Sequence, residues 1–359
     1  MTSDRSPVTD TVTPRPILIT GGAGFIGINL ANRLIERGHH VTILDNLSRR
    51  GTNKNVAWLE SIHGDDFDLI IGDVRDAQMC NLSIRDAEVI YHLAGQTAVT
   101  TSVTDPRSDF EINALGTFNM LEAARNAGQK PIVLFSSTNK VYGGMEDLGV
   151  RETETGYVFE DFPAGVDESR PLDFHSPYGC SKGAADQYVR DYARIYDMPT
   201  IVFRQSCIYG PRQMGVEDQG WLAWFIIAIV TGKPITIYGN GKQVRDLLYV
   251  DDLVDAFELA VEHIDSTAGQ VYNIGGGAER AISVWQEFKP LVEEALGRKI
   301  PEPSYGEIRP GDQPIFVADT GKAERDFGWT PKVSPREGIR LLVDWVEANR
   351  SLFATFAQV

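Results

Sequence analysis

The sequence predicts an α/β protein, a doubly wound parallel sheet with a smaller, discontinuous α/β lobe. Three observations predict it. Short apolar runs alternate with helical patterns through the first half of the chain. A glycine-rich turn, Gly21-Gly-Ala-Gly-Phe-Ile-Gly27, sits between one such run and a helical pattern. Asp45 closes the next run, about twenty residues past the glycines. Strand, glycine turn, helix and acidic strand end, in that order, make a Rossmann-type dinucleotide fingerprint.

The elements follow in order. Ile17 to Ile19 reads as a buried strand, and the helix runs on through Phe25, Ile26, Leu30, Leu34 and Ile35. Gly21, Gly24 and Gly27 permit a tight turn, let backbone approach a pyrophosphate, and allow close helix–strand packing. The helix N-terminus offers N–H groups to the phosphates. The candidate cofactor residues here are these glycines with Phe25 and Ile26. The second strand, His40 to Leu44, ends in Asp45. A carboxylate there holds ribose hydroxyls and repels a 2′-phosphate, which favours NAD over NADP. Asn46, Ser48 and Arg49 follow as further candidates. The arginines of Ser48-Arg49-Arg50 either accommodate a 2′-phosphate or sit on a solvated loop.

Phe67 to Gly72 reads as the third strand and leads into Asp73 and Val74. Asp73 is placed to reach an adenine or to cap a loop. Val89 to Leu93 is the fourth strand, and Ala94 and Gly95 are small enough to let a cofactor pass. A long amphipathic helix is predicted from about Phe110 to Ala127. Ile132 to Phe135 is the next strand and ends in Ser136-Ser137-Thr138. Residues 143 to 177 break the rhythm and are predicted to fold over the active site. Tyr178 to Tyr196 reads as a helix and Ile201 to Arg204 as a strand.

Beyond about residue 210 the alternation becomes irregular. Ile235 to Tyr238 and Val271 to Ile274 look like strands; Leu253 to Val261, Val284 to Leu296 and Arg336 to Asn349 look like helices. The predicted division has a disordered leader over 1–14 and a cofactor-binding domain over 15–210. Segments of about 240–275 return to that domain, and 211–359 is mainly a discontinuous substrate lobe.

Composition excludes several classes. The net charge of −16 argues against nucleic acid and anionic membranes as partners. Cys80, Cys180 and Cys207 show no metal-ligand spacing, which predicts no metal and a reduced, cytoplasmic setting. The first fourteen residues lack the apolar core of a signal peptide. Trp221 to Val230, the longest apolar run, is too short to span a bilayer and reads as a buried helix.

The chemistry gathers at Tyr178 and Lys182. On a helix these positions share a face. An ammonium beside a phenol favours the phenolate, so the spacing predicts a tyrosine pKa lowered from about 10 toward neutrality. Such a tyrosine can exchange a proton with a sugar hydroxyl while a hydride moves to nicotinamide. Thr138, at a strand's C-terminal end, can orient the reacting hydroxyl. Cys180 is read as a packing residue, His92 as a satisfied core histidine, and His175 as a cap or loop residue.

The glycine pattern, Ser-Ser-Thr-x-x-Val-Tyr-Gly and Tyr-x-x-x-Lys together resemble the extended short-chain dehydrogenases/reductases that act on nucleotide sugars, over roughly residues 16 to 345. The 4,6-dehydratases of that superfamily carry Asp-Glu after the threonine; Asn139-Lys140 cannot do that carboxylate chemistry. Ser136-Ser-Thr-Asn-Lys-Val-Tyr-Gly143, His92-Leu-Ala-Gly-Gln96, Asp173 to Tyr188, Asp218-Gln-Gly-Trp221 and Gly239 to Asp246 resemble the CDP-tyvelose (CDP-paratose) 2-epimerase family. That resemblance implies inversion at C2 of a CDP-hexose through a 2-keto intermediate, with tightly held NAD and a homodimer. It implies Thr138, Tyr178 and Lys182 as catalytic residues. It also implies that Gln219, Trp221, Gln243, Arg245, Arg309 and Asp312 join Thr138 in binding the CDP-sugar. Arg245 and Arg309 would clamp the diphosphate, and Asp312 would orient Arg309 or accept from the ribose. The other readings are a 4-epimerase of a UDP-hexose and a catalytically dead binding protein.

Overall fold

Seven parallel strands make the central sheet of the computed structural model, which describes residues 13–217, 219–308 and 312–357. In chain order they are β1 (Pro16–Thr20), β2 (His40–Asp45), β3 (Phe67–Ile71), β4 (Val89–His92), β5 (Ile132–Thr138), β6 (Thr200–Gln205) and β7 (Gln270–Ile274). Their order across the sheet is β7-β6-β5-β4-β1-β2-β3. Both faces are covered, which is why the strands read as apolar runs. Ile17 and Ile19 enter one core with Val41 and Ile43; Leu18 turns to the other with Leu44 and Phe135. Helices Phe25–Glu36 and Val250–Glu262 cover the first face. Gly116–Asn126 and Ser176–Tyr196 cover the second. Burying each such aliphatic side chain contributes about 1.5–3 kcal/mol.

The strand order reverses between β1 and β4, so a crevice opens at their C-terminal ends. The chain then leaves the sheet without a linker. Gln205 ends β6, and Cys207–Tyr209 already belongs to a second sheet, beside Val244–Tyr249. That sheet adds Ala281–Ser283 antiparallel and Ile315–Phe316 parallel. Helix Trp221–Thr231 is almost wholly buried in the second lobe, against residues such as Phe288, Ile339 and Leu342. Asp246 is fully buried in the second sheet. It accepts hydrogen bonds from the Ser206 hydroxyl, the Gly277 N–H (3.3 Å) and the Ala318 N–H (3.2 Å). Burial pushes its carboxyl up to about 7.

Several elements differ from the sequence expectation. The Phe110–Ala127 run is not one α-helix, because a π-helical turn over Glu111–Leu115 precedes Gly116–Asn126. The wider turn carries Asn113, whose amide donates to Asp109 (3.1 Å) and to Ser181 (3.0 Å). The predicted Val284–Leu296 helix begins only at Phe288. Val284 and Trp285 give their N–H groups to the Gln243 and Gly241 carbonyls, so the chain there is held in the second sheet's neighbourhood. None of residues 143 to 177 lines the crevice. They form a small hairpin, Val150–Glu152 with Tyr157–Phe159, and pack Met145, Phe159 and Val166 against Val244 and Phe316 of the second lobe. Of the predicted leader, residues 1–12 lie outside the described residues.

Candidate active site

The crevice deepens into a cleft of about 420 Å³ between the two lobes. At one end lies the glycine turn. Gly21 adopts φ +68°, and a Cβ there would meet the Ala94 backbone at 2.7 Å. A Cβ on Gly27 would lie 2.5 Å from the Gly21 carbonyl oxygen. Only glycine lets the turn close this tightly on strand and helix. The helix that follows has Gly24 at its N-cap, with no side chain capping it and no acidic residue in its first turn. Asp45 accepts from the Ala23 N–H (3.1 Å) and the Leu47 N–H (2.8 Å), which pins the turn to the end of β2. Burial raises its carboxyl, against those two hydrogen bonds.

Asn46, Ser48, Arg49, Asp73, Val74, Leu93, Ala94 and Gly95 line the same cleft, as do Phe25 and Ile26. Asp73 is tied to Arg75, through both Nε (3.0 Å) and Nη2 (2.8 Å), and accepts from Asn46 (2.9 Å). Its bonds with Arg75 hold it down at about 2. Arg49 reaches across the mouth to Thr97 (2.9 Å) and to Gln219, joining the two lobes.

At the other end stand Thr138, Tyr178 and Lys182, all buried and all lining the cleft. Helix Ser176–Tyr196 is set by polar contacts along its first turns. The Ser102 hydroxyl accepts from the Tyr178 N–H (3.1 Å), Ser181 donates to Asp109 (2.5 Å), and Ser137 donates to Asp186 (2.7 Å). Arg204 grips both oxygens of Asp186 at 2.9 Å, in an ion pair almost sealed from solvent. Breaking one partner of such a pair costs about 3–5 kcal/mol.

The expected lowering of Tyr178 does not occur. Burial pushes its phenol up to about 12, although the Thr138 hydroxyl and the Arg49 guanidinium pull it down. The Lys182 ammonium is spent elsewhere. It donates to the Ser136 carbonyl and lies 4.2 Å from the centre of the Phe135 ring. Burial carries the lysine down to about 7.

The substrate candidates divide. Gln219 and Trp221 line the cleft. Gln243, Arg245 and Asp312 do not. Gln243 is buried and donates to the Tyr238 carbonyl (2.7 Å). Asp312 pairs with Arg245 (2.6 Å), so the arginine it orients is Arg245. Arg309 lies outside the described residues. Lys140 donates to Gln313 (3.3 Å), and burial with Arg245 nearby takes it down to about 8.

His92 is a satisfied core histidine. Its ring nitrogens contact Thr20 (2.7 Å) and Thr117 (3.0 Å), and burial carries it down to about 3. His175 is the N-cap residue of the tyrosine helix and caps no N–H with its side chain. Cys180 is exposed, not packed. Among the described residues, no cluster of His, Cys, Asp and Glu could hold a metal.

Sequence reasoning missed Asn55, Thr97, Gln205, Arg212 and Gln213, which also line the cleft. Asn55 lies on helix Thr52–His63 and Gln205 at the end of β6, positions outside the segments singled out in the sequence. Arg212 lies at φ +66° and stacks over Trp58 at 4.0 Å, a contact between distant segments with no local signature.

Comparison with known proteins covers most of the chain. A family model described as GDP-mannose 4,6 dehydratase matches residues 18–342. The chain is 44% identical to a CDP-paratose 2-epimerase of Salmonella typhi, over 92% of this chain and 99% of that protein. A UDP-glucose 4-epimerase of Thermotoga maritima, solved with UDP-glucose, superposes with a TM-score of 0.78. It is 34% identical, covering 93% of this chain and 99% of that one. A UDP-glucose 4-epimerase of Thermus thermophilus, solved with NAD, gives a TM-score of 0.76. It is 33% identical, covering 93% and 99%.

Proposed function

The chain belongs to the GDP-mannose 4,6 dehydratase family, and from that membership we propose an NAD-dependent nucleotide-sugar epimerase that inverts C2 of a CDP-hexose. One observation carries the reading. A glycine turn and the Asp45 carboxylate end the same cleft whose other end holds Thr138, Tyr178 and Lys182. No carboxylate follows Thr138, where a dehydratase needs two; Asn139 and Lys140 stand there. The CDP-paratose 2-epimerase relative supports C2 and CDP.

The residues fit NAD. Gly21, Gly24 and Gly27 line the cleft and would let a pyrophosphate approach backbone, the helix N-terminus would offer it N–H groups, and the Asp45 carboxylate would accept from ribose hydroxyls. Bound NAD would supply the hydride acceptor for the carbinol carbon and the donor that restores its hydrogen. The protein does the rest. Tyr178 takes the C2 hydroxyl proton on its phenol oxygen and later gives it back. Thr138 orients the reacting oxygen. Lys182 favours the phenolate once its ammonium turns from the Ser136 carbonyl toward Tyr178. Gln219 and Trp221 contact the nucleotide sugar; for Arg245 to clamp the diphosphate with Arg309, its guanidinium must turn from Asp312 and the Gln313 carbonyl into the cleft. In this reading 15–210 with the returning segment of about 240–275, which brings helix Val250–Glu262 and strand Gln270–Ile274 to the central sheet, forms the cofactor domain, and the rest of 211–359 is mainly the substrate lobe.

The exposed apolar residues Phe110, Phe118, Tyr188 and Ile195 sit on neighbouring helices and support a two-fold homodimer through that face. The cytoplasm remains the proposed setting. The test of function is a panel of CDP-, UDP- and GDP-sugars followed by NMR. Inversion at C2 of a CDP-hexose is the expected result. Inversion only at C4 of a UDP-hexose would install the 4-epimerase reading, which the solved neighbours favour.

A further inference from the structure

Gln205 is the last residue of β6 and is 6% exposed. It stands directly opposite Thr138 in the parallel register of β5 and β6. Parallel neighbours in register point to the same face, so the two side chains lie side by side at the reacting end of the cleft. Both line that cleft. One end of the Gln205 amide is satisfied, because its Oε1 accepts from the Ser136 hydroxyl at 3.2 Å. The other end is not. Its Nε2 is buried and has no hydrogen-bond partner among the described residues.

A buried amide N–H₂ without a partner is destabilising. An apolar residue of similar size would serve β6 better if packing were its only task. The orphan donor is not on the sheet's far side or beneath a helix. It is one strand away from the hydroxyl that the epimerase reading assigns to the reacting oxygen. The strand order adds direction. The crevice opens between β1 and β4, and Gln205 lies beyond Thr138 on the side away from it. A ligand reaching Thr138 from the crevice meets Gln205 next.

We infer that Gln205 is a positioning residue whose amide donates a hydrogen bond to a neutral oxygen acceptor bound at the reacting end of the cleft. The inference rests on the epimerase reading. The acceptor comes from one of two sources, an oxygen of the hexose or the carboxamide oxygen of the nicotinamide. The Ser136 contact fixes the amide plane, so the donor is held ready.

The experiment compares the parent with Gln205→Met, which keeps the length and loses the donor, and with Gln205→Glu, which keeps the acceptor for Ser136. Three quantities are read: NAD retained per subunit after purification, KM and kcat with the nucleotide sugar, and affinity for the bare nucleoside diphosphate. If the hexose supplies the acceptor, KM rises about tenfold in both variants. NAD retention and nucleoside-diphosphate affinity then stay at the parent's values. If the nicotinamide supplies it, retained NAD falls in both variants. Thermal melting checks the fold, and Gln205→Leu, which also lacks the donor, serves should the methionine variant not fold. An active parent whose folded variants match it within twofold in KM and in retained NAD would overturn this inference alone. A parent that retains NAD yet inverts no nucleotide sugar would take the epimerase reading and this inference together.

Discussion

The ammonium of Lys182 rests on the backbone carbonyl of Ser136, not on the phenol of Tyr178 one helical turn earlier. The two residues share a helix face, yet the strand beneath competes for the lysine. Burial outweighs the Thr138 hydrogen bond and the Arg49 guanidinium and keeps the phenol protonated at neutral pH. For Tyr178 to act as a base, the Lys182 ammonium must turn toward it from the Ser136 carbonyl.

Tyr178→Phe is therefore expected to abolish epimerisation while the fold and bound NAD survive. The substitution removes one hydroxyl and keeps the ring. General acid–base help is worth about 10²–10⁴-fold, so the loss should be at least that large. Turnover measured by NMR and NAD released on denaturation check it. Activity within a few-fold of the parent would remove Tyr178 from the role.

The reaction is expected to carry the C2 hydrogen intact. C2 of an acetal sugar has no neighbouring carbonyl, so its hydrogen is not acidic. No second acid/base pair follows Thr138 either. A substrate deuterated at C2 should give a product deuterated at C2. Uptake of solvent deuterium at C2 in D₂O would mean that a deprotonation route operates.

Asp246→Asn should reverse part of the protein's pH dependence. The buried carboxyl keeps its proton up to about pH 7, whereas an unfolded aspartate loses it near 4. Its contribution to stability is present below the unfolded value and is lost as pH rises through about 7. An asparagine carbonyl can still accept from the Gly277 and Ala318 N–H groups, and its amide can face Ser206. The melting temperature of the variant should gain on the parent between pH 4 and 8. A constant difference across that range would show that Asp246 does not titrate there.

Ile195→Glu with Phe118→Glu should convert a dimer into a monomer. Ile195 is 63% exposed and Phe118 38%, on helices that lie side by side. Sedimentation at micromolar concentration reads the outcome. A parent that already sediments as a monomer would remove the dimer.

The cofactor end was legible because its signals are local. Gly21, Gly24, Gly27 and Asp45 act through backbone geometry within one strand–turn–helix unit, and their spacing survives in the string of letters. The substrate side was less legible. The Arg245–Asp312 pair joins residues far apart in the chain, and nothing near either residue announces the other. Tyr178 and Lys182 were found by their i, i+4 spacing, but the Ser136 carbonyl that takes the lysine belongs to another element. Gln205 falls one residue past the strand read at Ile201 to Arg204, and its place beside Thr138 shows only once the register is known. Residues 143–177 lack periodicity, so the apolar contacts that seat them on the second lobe could not be assigned to a side.

The return of β7 has a consequence during synthesis. The ribosome finishes β6 at Gln205 and then makes all of Cys207 to Gly269 before the strand that pairs with β6 emerges. Through that interval the nascent chain offers the open edge of β6 to any other strand, and unpaired edges template aggregation. A chain terminated just before Gln270 is expected to be insoluble or chaperone-bound, whereas one extended past Ile274 has that edge closed. Solubility of the two truncations in a cell-free translation checks it, and equal solubility would show that the β6 edge is shielded by other means.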